Sequence, residues 1–397
     1  MNEQLKFMQK AAGEWCGRVP ASYPARVLHS DDVNQCFIDG PDYCGRPTRF
    51  FAFWQLPEGA SPENPVPGVV LVHGGGATAL ADWVKLWNKR GFAAISMDTC
   101  GCVPGWSPNP RSNSNWPRHE YGIPVKWGDF EHAVSNEPQD QWVYHATAAA
   151  VISNSFLRSI PGVDADRVGI TGVSWGGRIT LWASSVDPRF AFAMSVYGTG
   201  FCTAPECRLG ENFWGTPEFQ RWQQLWEPEH YLDGIKMPCM LFGGTGDVAF
   251  PFNTQTLSAE KIGAETAMLM LVDFPHDHDN PDTIEEFTDF AKSICAGEKV
   301  PVLAMPAEEE GSLTCAVCGN GRKIVEVQLL ATRASGFWPD RKWNRYPAEI
   351  TADGKSLTAK LPVGTTAAFF NVTDDRGSRW SSRTWGNLEA VKSDLNR

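Results

Sequence analysis

The sequence is short of positive charge, of long apolar runs and of any regular cysteine spacing, and each shortage removes a class of function. Lys and Arg number 35 against 46 Asp and Glu, for a formal net charge of -11. Nucleic acid and anionic lipid both require a basic surface, so neither is an expected partner, and a substrate presented through uncharged groups is the expectation. No apolar run approaches the roughly 20 residues of a membrane span. The opening stretch "MNEQLKFMQKAAGEW" has no apolar signal core, which points to a cytoplasmic protein, although a leader removed upstream would leave the same start. The 11 cysteines are odd in number and scattered, which excludes a disulfide framework and leaves mostly reduced thiols. Cys100/Cys102 and Cys315/Cys318 are the close pairs; "CAVC" lacks the second ligand pair of a zinc site, so no metal is expected. There is no internal repeat.

What is present fits a soluble globular chain: 397 residues, 42% hydrophobic and 20% charged, enough for an α/β domain with an appendage. "GVVLVHGGG" (68–76) is a short apolar strand running into glycines, "ADWVKLWNKRG" has helical spacing with a glycine stop, and "FAAISMD" is the next strand. The stretch 99–140 is rich in Gly, Pro, Asn and Trp and reads as either an ordered active-site insertion or a disordered flap, its tryptophans favouring order. A helix "DQWVYHATAAAVISNSFLRSI" ends at Pro161, and "DRVGITGVS", "RFAFAMSVYG", "MPCMLFGG" and "TAMLMLVDF" are further apolar strands. Their separation by helices predicts a mainly parallel sheet flanked by helices, with residues 1–66 as edge strands. After Lys299 a Pro- and acid-rich linker leads into short strands joined by Gly and Asp-Gly turns. The expected organisation is a catalytic domain over 1–300 and a small β-rich, β-sandwich-like accessory module over 301–397.

The stretch "VGITGVSWGGRITLW" carries the chemistry. An apolar strand, a Gly-x-Ser-x-Gly turn (Gly172, Val173, Ser174, Trp175, Gly176) and a helix in that order describe a nucleophile elbow. A serine nucleophile needs an imidazole to take its proton, a carboxylate to orient that imidazole, and backbone donors for the oxyanion. Asp247 stands just past one apolar strand and His276 just past the next. His278 is the alternative base. His276 leaves more residues before Pro281, where the last helix begins, while Asp277 and Asp279 flank His278 and suit a solvated histidine. For the oxyanion hole the candidates are the N–H of Trp175, after the nucleophile, and those of Gly75 and Gly74 in "HGGG". His73 precedes that loop on a buried strand and reads as structural.

On these residues, with "GVVLVHGGG", "GFAAISMDTCG", "PGVDADRVGITGVSWGG", "GTGDVAFP" and "FPHDHD" as the matching segments, the chain resembles the α/β-hydrolase superfamily. Within it the likeness is to the dienelactone-hydrolase, acetyl xylan esterase and prolyl-oligopeptidase-like branch, from about Gly68 to Cys295. The resemblance implies an α/β-hydrolase fold and ester or amide hydrolysis through an acyl-enzyme, without metal or organic cofactor. Trp106, Trp116 and Trp127 lie in the insertion, where flat aromatic faces can stack on sugar rings. The expected function is therefore carbohydrate acetyl ester hydrolysis. A general carboxylesterase and a prolyl-oligopeptidase-like peptidase are the enzymatic alternatives, and a carbohydrate-binding protein on an inactive hydrolase fold is the non-enzymatic one. Homo-oligomerisation is left open.

Overall fold

A computed structural model describes residues 3–27, 32–105, 115–202, 211–262, 264–318, 321–386 and 388. Packing divides the chain into two units, one of residues 1–198 and 210–237, the other of 199–209 and 238–397.

In the first unit, β1 (Ser22–Pro24), β2 (Asn34–Tyr43) and β3 (Arg46–Gln55) form an antiparallel edge. They continue into β5 (Ala93–Met97), β4 (Val66–Val72), β6 (Val163–Val173) and β7 (Ala193–Val196), which are parallel to one another. Val69 to Val72 and Ala93 to Ile95 are fully buried. Both faces of these strands are covered, and the continuous apolar runs of "GVVLV" and "AAI" follow from that. The covering helices are α2 (Ala81–Lys89), α3 (Trp142–Arg158) and α4 (Trp175–Val186), while α1 (Glu3–Cys16) packs on α3 and α4, and α5 (Pro217–Trp226) lies against the turn at 130–132. The described part of the insertion is ordered by specific bonds. Arg118 donates to the carbonyls of Cys100, Ile123 and Val125 at 2.6–3.0 Å, and the Trp222 indole donates to Gly128 O at 2.7 Å.

The second unit holds the parallel pair β8 (Cys239–Gly246) and β9 (Thr266–Pro275) with helices α6 (Phe252–Lys261) and α7 (Glu286–Cys295). The described residues from Val302 to Gly386 form short antiparallel strands in two further sheets. These strands are tied to the helices of the same unit: Arg322 bonds Asp289, Ser293 and Asp374, and Arg379 Nε donates to Glu286 at 2.6 Å. Arg383 donates to the carbonyls of Thr266 and Leu303 at 3.0 and 2.8 Å. Among the described residues no helix is long and apolar enough to cross a membrane.

Candidate active site

The elbow is built where β6 meets α4. Ser174 has φ 60° and ψ -117°, a conformation L-residues rarely adopt, and its amide donates to Val196 O at 2.8 Å on the neighbouring strand. Such a backbone persists only where its surroundings over-determine it. Here the surroundings are tight: a Cβ built at Gly176 would collide with the Val72 carbonyl oxygen, so the helix start can approach β4 only as glycine.

The "HGGG" loop follows β4 and is pinned from several sides. The Thr99 amide donates to His73 Nε2 at 3.2 Å, so that nitrogen carries the lone pair. The proton therefore sits on Nδ1 and is donated to Gly74 O at 2.8 Å. His73 is buried, and burial lowers its pKa, which keeps it neutral. Its role is structural, since both ring nitrogens are spent on holding the loop. The Trp116 indole donates to Gly76 O at 3.1 Å, and the Ala77 amide donates to Gly74 O at 3.3 Å. A Cβ at Gly75 would lie 2.7 Å from Trp175 Cδ1, so the loop rests flat on the ring of the residue after the nucleophile. The oxyanion candidates Gly74, Gly75 and Trp175 are thus neighbours within one unit.

Trp175 stands in an aromatic cage, with ring centroids 5.2 Å from Trp142, 6.1 Å from Trp222 and 6.2 Å from Trp127. Arg178, one turn further along α4, is buried among Trp175, Trp182 and Trp222 at 5.1–5.6 Å and pairs with Glu227 at 2.7 Å. This ion pair was not anticipated from sequence. The one available sign was an arginine in an otherwise uncharged helix.

In the second unit, Asp247 and His276 meet. Gly246 on β8 is in register with Pro275 on β9, so the next residue of each strand comes off the sheet edge side by side. Asp247 Oδ1 accepts the amides of Ala249 and Phe250 at 2.7 and 2.8 Å, leaving Oδ2 to accept from His276 Nδ1 at 3.0 Å. The Phe250 ring stacks on the imidazole, 5.7 Å between centroids at 29°. With Nδ1 of His276 turned to the carboxylate, Nε2 is the ring nitrogen that a general base would use. The His278 ring lies 5.7 Å from that of His276.

Of the insertion tryptophans, Trp106 lies outside the described residues. Trp116 is buried with its indole N–H committed to Gly76, and Trp127 is 42% exposed. Trp116 and Trp127 line a cavity of about 400 Å³ together with Gly76. Beside it, Asp98 is fully buried and accepts from Thr78 Oγ1 and from the amides of Cys100 and Cys102. Burial pushes the Cys102 thiol up to about 12 and raises that of Cys100 further, so neither is a nucleophile at neutral pH. Cys315 is buried and its thiol faces the Ala304 carbonyl. Among the described residues no group of three or more His, Cys, Asp or Glu side chains is arranged to hold a metal.

Two family models match consecutive parts of the chain. That of acetyl xylan esterase (AXE1) matches residues 46–203, which include the glycine loop and Ser174. That of the PhoPQ-activated pathogenicity-related protein matches residues 202–335, which include Asp247 and His276. Comparison with curated protein sequences finds no match. Among solved structures, acetyl xylan esterase 1 from Thermoanaerobacterium sp. JW/SL YS485 is similar with a TM-score of 0.55 at 16% identity, over 74% of this chain and 95% of that one. The acetyl xylan esterase from Paenibacillus sp. R4 is similar with a TM-score of 0.56 at 17% identity, over 74% and 94%. At these identities the likeness is one of fold, and the fold is that of the α/β hydrolases.

Proposed function

We propose that the chain is a serine esterase that removes acetyl groups from carbohydrate. The observation that carries the reading is the strained elbow: a serine at φ 60° between strand and helix, its cost borne by close packing on both sides. The match of residues 46–203 to the acetyl xylan esterase model supports the acyl group and the carbohydrate alcohol.

In this mechanism His276 Nε2 takes the proton from Ser174 Oγ as the oxygen attacks the acetyl carbonyl. Asp247 holds the ring in the Nδ1–H tautomer and stabilises the imidazolium. The oxyanion is received by the N–H groups of Trp175 and Gly75, with Gly74 beside them. The sugar hydroxyl leaves with the proton from Nε2, and a water activated by the same nitrogen releases acetate from the acyl-serine. The test is acetate release from acetylated xylan and turnover of p-nitrophenyl acetate, with Ser174→Ala as control. The variant is expected to fold, to lose labelling by a fluorophosphonate, and to retain at most about 10³- to 10⁴-fold acceleration over water. Undiminished turnover by the folded variant would remove Ser174 from the mechanism.

A further inference from the structure

The cavity beside the glycine loop differs in charge from the rest of the molecule. The chain carries a net -11, yet the cavity is lined by Arg118 and Lys126 and, among the described residues, by no carboxylate. Other cavities do include acids: Glu326 in one, Glu265 and Glu298 in a second, Asp39 in a third. Asp98 sits behind the Cys100 to Cys102 turn with its oxygens given to Thr78 and to backbone amides, so it offers none to the cavity.

The two cations differ in kind. Arg118 is held rigid by the carbonyls of Cys100, Ile123 and Val125, bonds that fix its position without cancelling its charge. A fixed guanidinium loses little freedom when it meets an anion. Lys126 is exposed and can swing to follow a ligand. Trp127, on the same cavity, is half-exposed and presents an indole face.

Resting on the esterase reading above, we infer that the alcohol side of the ester is an acidic sugar. Its ring stacks on Trp127, its free carboxylate is held by Lys126 and Arg118, and its acetylated hydroxyl points toward the Gly74 to Gly76 loop. It departs from the expectation of an uncharged substrate drawn from net charge alone. A local pair of cations decides what binds at contact, because the field of distant surface acids is screened within about 8–10 Å.

The experiment has two arms. In the first, kcat/KM is measured on partially acetylated oligosaccharides of galacturonic acid and of xylose, for wild type and Lys126→Met. The acidic substrate is expected to be preferred, and the variant to lower the acidic-to-neutral ratio about three- to tenfold, in the range of one charge-assisted contact. In the second, binding of oligogalacturonate, oligoxylose and benzoate to the Ser174→Ala protein is measured by calorimetry at low and high salt. Oligogalacturonate is expected to bind best, to weaken with salt, and to weaken again in Ser174→Ala/Lys126→Met. Equal kcat/KM on the two sugars, an unchanged ratio in Lys126→Met, or benzoate binding as tightly as the acidic sugar would each overturn the inference. If no ester is turned over but oligogalacturonate still binds through Lys126, the esterase reading fails and the acidic-sugar site stands.

Discussion

Asp247 and His276 are 29 residues apart in the chain, and they meet because Gly246 and Pro275 are paired in the parallel strands that end just before them. The two amides on Oδ1 fix the carboxylate, so Oδ2 has one geometry to offer, and the imidazole is held by it on one side and by Phe250 on its face. Asp247→Asn keeps the size of the side chain but turns a donor toward Nδ1, which would select the wrong tautomer. The expected loss in kcat is about 10⁴-fold with folding intact. His276→Ala should abolish the acylation burst while His278→Ala is milder; the opposite ranking, read in the same stopped-flow traces, would transfer the base role to His278. The strand-end placement of Ser174, Asp247 and His276 was legible because each follows an apolar strand directly. The division of labour among the tryptophans was not. Trp116 and Trp127 look alike as letters, and only the fold shows that one spends its indole N–H on Gly76 while the other faces solvent.

At the scale of elements, the parallel strands were readable because burial on both faces leaves uninterrupted apolar runs, and the helices between them because their periodicity differs. What holds α4 in place was not readable, since Arg178 finds its partner 49 residues away on a segment with no distinguishing pattern. That pair is buried on both sides, at 1% exposure each. Removing one partner strands a charge in the interior, so Arg178→Met is expected to cost about 3–5 kcal/mol. Replacing both, as Arg178→Met with Glu227→Leu, should recover much of that loss because the site is walled by Trp175, Trp182 and Trp222. Urea midpoints of the two single variants and the double variant check this. A double variant no more stable than the singles would mean that the ion pair itself, and not its broken halves, stabilises the helix.

For the molecule as a whole, several histidines are held neutral by burial. His73, His119 and His145 all have lowered pKa values, with burial the largest cause, and that of His145 falls from 6.5 to about 4. Between those two values the unfolded chain binds a proton that the folded chain refuses. The stabilisation is therefore complete above pH 6.5 and is lost progressively as pH falls toward about 4. For His145 alone this amounts to about 3 kcal/mol. Thermal midpoints measured from pH 7 to pH 4.5 should fall steeply, and less steeply in His145→Gln; matching slopes would show that other groups govern acid unfolding. The close grouping of Trp127, Trp142, Trp175 and Trp222 has an optical consequence. Indoles 5–6 Å apart exchange excitation faster than they emit, so light absorbed by any of them leaves from the member of lowest energy. Trp127 is the only one of the four open to water, and relaxation of that water around the excited indole is expected to make it that member. A sugar ring laid over it would strip away solvent and move the emission of the whole group to the blue, giving the unlabelled chain its own fluorescent report of an occupied cavity.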